Sequence, residues 1–252
     1  MRMTHLVWSS ATVVLIAVGV AAPLASAQTG SPQTQPARTE HQHSHGSQTQ
    51  PGHVIPDHSF ADVERWVAVF DDPARSEWQM PERLVAALGL KAGSVVADIG
   101  AGTGYFLGHL AKAVAPGGRV LAVDLEPNMV SHMRERADKE GVPGVETILA
   151  AADDPHIPAG SADCILMVDT YHHIHDGVAY LRRLQGALAK GGRVVVVDFR
   201  KEPLPVGPPP EHKMTREEIV AEFVEAGYRL AGEETFLPYQ YFLRFQVGAG
   251  GR

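Results

Sequence analysis

Apolar residues along this chain change their spacing from one region to the next. Between residues 60 and 70, Val63, Trp66, Val67 and Phe70 recur at helical intervals and share one face. Asp71-Asp72-Pro73 breaks that pattern. A second helical stretch over 81–90 then sets Leu84, Val85 and Leu88 on one side, with Gly89 and Gly93 to end it. From Ser94 onward, short and nearly continuous apolar runs predict strands at 95–99, 120–124, 146–150, 163–168 and 193–199. Helical spacing between them predicts helices over 105–114, 127–139 and 177–189. Thr215 is a good N-cap for a helix over 216–226, with Glu217 and Glu218 in its first turn. Two last strands are expected at 229–236 and 239–247. The valines at 194–197 leave no polar face, so that strand is expected to be covered on both sides. Strand and helix in alternation predict an α/β domain: a doubly wound, mainly parallel sheet of seven strands with helices on both faces.

The chain before Ser94 reads differently. Arg2 precedes an apolar stretch at 11–22, and Ala25-Ser26-Ala27 has the small-residue character of a cleavage site. Residues 1–27 therefore read as an export signal, which makes the mature domain exported, periplasmic or secreted. The alternative is an uncleaved anchor, since residues 6–27 are long enough to span a bilayer, with membrane contact through that segment. Residues 28–58 are rich in Gln, Thr, Ser, Pro and His and poor in apolar residues, which predicts a flexible linker. Histidines 41, 43, 45, 53 and 58 lie in it; a polar tract is favoured over a metal site, and no metal is assigned. Residues 59–93 form a helical cap and 94–248 the main domain.

Composition narrows the function. At 252 residues, with 44% hydrophobic and 20% charged, the chain can build a substantial core. A net charge of −7 argues against a nucleic-acid partner. The one cysteine, Cys164, sits in an apolar strand pattern and excludes an internal disulfide or a multi-cysteine metal site.

The chemistry gathers at strand ends. The first strand runs into Asp98-Ile99-Gly100-Ala101-Gly102-Thr103-Gly104, a glycine turn that lets backbone approach a ligand closely. The second strand ends in Asp124, a carboxylate able to accept both hydroxyl protons of a ribose. A dinucleotide site prefers G-x-G-x-x-G, whereas the spacing here is G-x-G-x-G. Asp98 beside the turn repels a pyrophosphate but suits an ammonium group.

This combination resembles the class I S-adenosylmethionine-dependent methyltransferases, and the tract from Trp78 to Phe245 is similar to the ubiquinone/menaquinone biosynthesis type. The resemblance implies a Rossmann-like sheet whose C-terminal hairpin contains an antiparallel strand. It also implies S-adenosyl-L-methionine as cofactor. Gly100, Ala101, Gly102 and Gly104 would line its methionine part, Asp98 would hold the amino group, and Tyr105 would lie over the methionine chain. Asp124 would take the ribose hydroxyls, with Leu125 against adenine. The family's acid after the third strand falls on Ala151 here, so Asp153, ahead of Asp154, is expected at the adenine amino group.

After the fourth strand comes Asp169-Thr170-Tyr171-His172-His173. Asp169 is placed with the cofactor ligands. His172 or His173 is the expected general base, since imidazole titrates near neutrality. Trp78, Tyr105 and Tyr171 are aromatics that would favour a cationic sulfonium. The expected reaction is direct methyl displacement onto a small-molecule acceptor that the sequence does not identify, in a pocket built from the cap, the loop after Asp169 and residues 204–214. Two alternatives stand beside it: an exported cofactor-binding or scaffold protein without turnover, and a nicotinamide-dependent oxidoreductase.

Overall fold

The computed structural model describes residues 62–248, all within a compact unit spanning His53–Arg252. The expected export segment and linker lie outside the described residues. Three short helices come first: α1 (Val63–Phe70), α2 (Arg75–Gln79) and α3 (Pro81–Ala87). The Asp62 side chain caps α1 by accepting the Arg65 N–H at 3.1 Å. Helix α2 falls in a stretch with no clear hydrophobic period. It is started by a turn in which the Asp72 carboxylate accepts the Ala74 N–H at 2.9 Å.

The main domain follows as β1 (Val95–Ile99), α4 (Leu107–Val114), β2 (Arg119–Asp124), α5 (Pro127–Glu140), β3 (Val145–Leu149), β4 (Ala162–Val168), α6 (Gly177–Ala187), β5 (Leu188–Phe199), α7 (Arg216–Glu225), β6 (Tyr228–Glu234) and β7 (Gln240–Val247). The strands form one seven-stranded sheet in the order β3-β2-β1-β4-β5-β7-β6. Pairs β1–β2, β1–β4, β2–β3 and β4–β5 are parallel, while β7 runs antiparallel to both β5 and β6. The Rossmann-like, mainly parallel sheet with a reversed C-terminal strand is therefore present.

Alternation along each strand divides the core in two. Ile165, Met167, Val194 and Val196 pack with Leu181, Leu184, Ile219 and Phe223 from α6 and α7. Cys164, Leu166, Val195 and Val197 pack with Leu84, Leu110 and Met133 from α3, α4 and α5. All four valines at 194–197 are fully buried, as a strand covered on both faces requires.

Two boundaries differ from expectation for local reasons. Helix α4 starts at Leu107 because Tyr105 and Phe106 still belong to the glycine turn. Strand β5 starts at Leu188, ahead of the expected 193. Leu188 pairs with Ala162 and Arg193 with Cys164, so the glycines at 191 and 192 form an irregularity inside the strand. A Cβ on Gly192 would stand 2.7 Å from the Ala162 carbonyl oxygen. The expected cap of α7 is a full capping box, with Thr215 and Glu218 each accepting the other's backbone N–H.

The sheet order turns back between β1 and β4, since β2 and β3 lie on one side of β1 and β4 and β5 on the other. In such sheets the crevice beyond the carboxyl ends of those two strands is where ligands bind.

Candidate active site

The glycine turn fills one wall of that crevice. Gly100 and Ala101 both donate their N–H groups to the Val123 carbonyl, at 2.8 and 3.1 Å, which ties the turn to β2. The Gly102 N–H donates to Oδ2 of Asp124 at 2.8 Å. Gly100 has φ +71°, and a Cβ there would lie 2.4 Å from Thr170 Cγ2, so the first glycine lets the turn touch the segment after β4. A Cβ on Gly104 would lie 2.6 Å from Leu107 Cδ1 and 3.3 Å from Met133, so the third glycine admits α4 and α5. Gly100→Ala combines a left-handed backbone with a steric clash, and we expect it to lower stability in urea by about 2–3 kcal/mol. Adding Thr170→Ala should recover the clash and leave the backbone part, about 1 kcal/mol; full recovery would show that the clash alone matters.

Three carboxylates converge on the crevice. Asp98 is 2% exposed. Burial pushes its carboxyl up to about 7, against the pull of the Arg75 charge and with a further push from Asp124. Asp124 is also raised by burial, while backbone N–H groups of Glu126, Gly102 and Leu125 pull it back. Its two oxygens accept from Gly102 and from Glu126 (3.0 Å), and the carboxylate keeps acceptor capacity for a further donor. Asp169, at the end of β4, has φ +54° and is raised by burial and by the charge of Asp198, with Arg75, Gln240 and His172 opposing. The Arg75 guanidinium lies 4.2 Å above the Tyr105 ring and donates to the Phe70 carbonyl at 3.0 Å. Burial lowers its pKa, and the charges of Asp169, Tyr105, Asp71 and Asp98 oppose that, so it is the cation of this acidic group. The end of α1 is held over the turn: Asp71 accepts from Thr103 Oγ1 at 3.0 Å and from Arg136 at 2.7 Å.

The segment after β4 carries the histidines on a 3-10 turn, Tyr171–His173. His172 Nδ1 lies 2.8 Å from Oδ1 of Asp198, the acid near the end of β5, and both side chains are almost wholly buried. A carboxylate only accepts, so Nδ1 carries the proton and Nε2 holds the free lone pair. Burial alone would lower the His172 pKa; the charge and hydrogen bond of Asp198, with Asp169, outweigh it, and the net shift is upward. The His173 ring packs at a 42° tilt against that of His172, centroids 4.0 Å apart, and is exposed. From the far side, Lys213 is 3% exposed and donates to the Glu202 carbonyl at 2.9 Å. Its pKa is lowered by burial, with Asp169 and Asp198 among the charges opposing. Trp78 packs 5.7 Å from Phe199 and 6.3 Å from Tyr239.

The crevice thus gathers Asp98, the glycines at 100, 102 and 104, Tyr105, Asp124, Asp169 and His172. Leu125 follows Asp124 with 53% of its surface exposed. Two residues are placed elsewhere. Tyr171 is corrected: it is buried against Phe223 on the α7 side, with its hydroxyl donating to Glu222 at 2.5 Å, so it does not face the crevice. Asp153 is not brought into the group; its side chain is 82% exposed and pairs with Arg183 at 3.3 Å, beside Asp154 at 3.0 Å. Sequence reasoning assigned no role to Arg75, Gln79, Asp198, Lys213 or Gln240. Asp198 had a signal, a single acid closing a buried valine run. Gln240 had none. Among the described residues no group of three or more His, Cys, Asp or Glu is placed to hold a metal ion, and no helix is long and apolar enough to cross a membrane.

Residues 96–192 match the family model of a methyltransferase domain. Over 119 residues the chain is 30% identical to a ubiquinone/menaquinone biosynthesis C-methyltransferase of Hahella chejuensis, covering 47% of this chain and 48% of that protein. Over 113 residues it is 35% identical to an uncharacterized 37.1 kDa transposon protein of Streptomyces fradiae, covering 45% of this chain and 32% of that one. The chain therefore spans about half or less of these curated relatives. Among solved structures it is similar to a SAM-dependent methyltransferase from Aquifex aeolicus, with a TM-score of 0.70 and 28% identity over 75% of this chain and 98% of that one.

Proposed function

We propose that the chain is a class I S-adenosylmethionine-dependent methyltransferase, a reading supported by the methyltransferase-domain match and the Aquifex aeolicus structure, and that it methylates a small-molecule acceptor by direct displacement. The observation that carries this reading is the pair of carboxylates, buried Asp98 and half-buried Asp169, on either side of the sheet's turning point, with the Arg75 charge acting on both.

The residues fit the cofactor. A desolvated acid with its carboxyl at about 7 is an unmet demand for a positive partner, which an ammonium group supplies. Asp98 and Asp169 would hold that end, Arg75 a carboxylate beside it, Asp124 two vicinal hydroxyls through its remaining acceptor capacity, and Leu125 an apolar base face. Tyr105 offers a ring face near the sulfonium. When bound, the cofactor supplies a methyl group already activated on a positive sulfur. What remains for the chain is alignment, exclusion of water and removal of one proton. His172 Nε2 is the atom that takes the acceptor's proton, and Asp198 faces the imidazolium that results. The exposed His173 stands at the mouth of this site. The acceptor pocket is bounded by Trp78, the loop after Asp169 and the loop that carries Lys213. Export of the domain, supported by residues 1–27, belongs to the same proposal, as does the lack of a nucleic-acid partner, which the charge of −7 supports.

Calorimetry with S-adenosylhomocysteine tests the cofactor reading. We expect one site per chain with a Kd on the order of micromolar, and transfer of label from the methyl-labelled cofactor in an acceptor screen. Binding without transfer to any acceptor would favour a scaffold. No binding to S-adenosylhomocysteine, with NADH bound instead, would overturn the proposal.

A further inference from the structure

Gln79 on α2 and Gln240 at the start of β7 are fully buried and bonded to each other, Gln79 Nε2 donating to Gln240 Oε1 at 2.8 Å. Carboxamide oxygen and nitrogen have the same shape, so their partners decide which way each amide points. Ionised Asp169 only accepts, which turns Gln240 Nε2 toward its Oδ1, at 2.7 Å. That leaves Gln240 Oε1 to accept from Gln79. Gln79 Oε1 in turn accepts both Nε and Nη2 of Arg75, at 3.2 and 3.1 Å. Every donor in the chain therefore points the same way, from the guanidinium to the carboxylate. Hydrogen bonds in such series strengthen one another in a low-dielectric interior, and a break leaves a buried polar group unpaired.

Strained backbone lies beside Gln79, within the series, and at its carboxylate end. Met80, next to Gln79, has φ +46°, and Asp169 has φ +54°. Such conformations persist in non-glycine residues only where the surroundings over-determine them. An apolar pair would fill the same space without these demands, so packing alone does not account for the arrangement.

We propose that Gln79 and Gln240 are positioning residues: a directional hydrogen-bond relay that makes the charge and aim of Asp169 depend on the seating of α2, so that the cap and the cofactor pocket act as one element. The functional half of this rests on Asp169 as a cofactor ligand; the relay itself does not. The other charged or titratable groups acting on Asp169 are Asp198 on β5, His172 on the 3-10 turn, Arg75 on α2 and Lys213 on the loop before α7.

The test is the titration of the Asp169 carboxyl in the full chain, followed by carbon NMR of labelled aspartate and assigned by the signal lost in Asp169→Asn. The variants Gln240→Met and Gln79→Met keep the length and remove the amide. A hydrogen bond to the charged form favours it, so Gln240→Met should raise the midpoint by about one unit. Gln79→Met does not touch Asp169, yet should raise it by about half a unit, and the double variant should match Gln240→Met alone. Gln79→Asn, too short to reach both neighbours, serves if Gln79→Met does not fold. A midpoint unmoved by the Gln79 change, or shifts that add, overturns the relay. Affinity for S-adenosylhomocysteine should fall near pH 7 by about fivefold in Gln240→Met and about twofold in Gln79→Met, and near pH 9 by no more than about 10% in either; an equal loss at both pH values would mean a structural role only. If the unmodified chain binds no S-adenosylhomocysteine, the methyltransferase reading falls while the titration still decides the relay.

Discussion

Asp98→Asn is expected to yield a protein that is more stable than the parent above neutral pH and that has lost its cofactor. The parent's folded state holds this carboxyl near 7 because burial disfavours its charge, whereas the unfolded chain titrates near 3.8. Between those values the folded state binds more protons than the unfolded one. Stability attributable to Asp98 therefore falls as pH rises through about 4 to 7, and levels off above that. Asparagine carries no such charge. In urea, the variant should match the parent near pH 4 and exceed it by about 2 kcal/mol near pH 8, less than the full shift implies because Arg75 loses a counter-charge. Affinity for S-adenosylhomocysteine should drop about 10²-fold, the worth of one charge-assisted hydrogen bond in a buried site. The parent should also release protons on binding below about pH 7, seen as a dependence of the calorimetric heat on buffer. A variant that is less stable near pH 8 and binds as before would remove Asp98 from the site. The trade is typical of a group whose strain in the free protein is relieved by its ligand.

The fold was largely legible because its signals are local and repeated. Runs such as 194–197 and 120–123 are too short for buried helices and too apolar for edges, so they announce central parallel strands. The glycine turn was legible for the same reason: an acid, three alternate glycines and a helix start within ten residues leave few other structures. Helix α2 was not, since five residues without an apolar period carry no pattern, and it is held by contacts of Arg75, Trp78 and Gln79 to β5, β7 and the turn. Glycines 191 and 192 fall between the expected helix over 177–189 and the expected strand at 193–199, though in the structure they lie inside β5, where the close Ala162 carbonyl leaves no room for a Cβ on Gly192.

The site divides along the same line. Asp98 and Asp124 lie in the last two residues of their strands, and Asp169 and His172 one and four positions beyond the end of β4, where sequence order becomes spatial order. Their partners come from far along the chain. Gln240 meets Gln79 across 161 positions, and Asp198 meets His172 across 26, so only the folded sheet brings them together. Tyr171 shows the converse error. Its neighbour in sequence faces the crevice, but in a 3-10 turn adjacent side chains diverge by about a third of a turn, and Tyr171 is directed into the core.

The greatest kinetic effect is expected at His172. In His172→Gln the amide can still donate to Asp198, so the buried acid stays partnered and the fold is spared the 3–5 kcal/mol or so that an orphaned charge costs. No atom is left to take a proton at the position of Nε2. Transfer to the acceptor returned by the screen should therefore fall by about 10²–10⁴ in kcat, while affinity for S-adenosylhomocysteine changes less than about threefold. The pH profile supplies the second half. Because Asp198 raises the His172 pKa against the effect of burial, the neutral form grows only above the ordinary imidazole value, and kcat of the parent should climb through a midpoint above 6.5. Asp198→Asn removes the charge, leaves burial unopposed and should move that midpoint down, with kcat about 10–100-fold lower on the alkaline plateau, where the imidazolium formed in the reaction has lost its counter-ion. A kcat in His172→Gln within threefold of the parent, or a midpoint unmoved by Asp198→Asn, would take proton removal away from this pair. The buried dyad would then be a tie between β4 and β5, and the acceptor would have to be a nucleophile that needs no base.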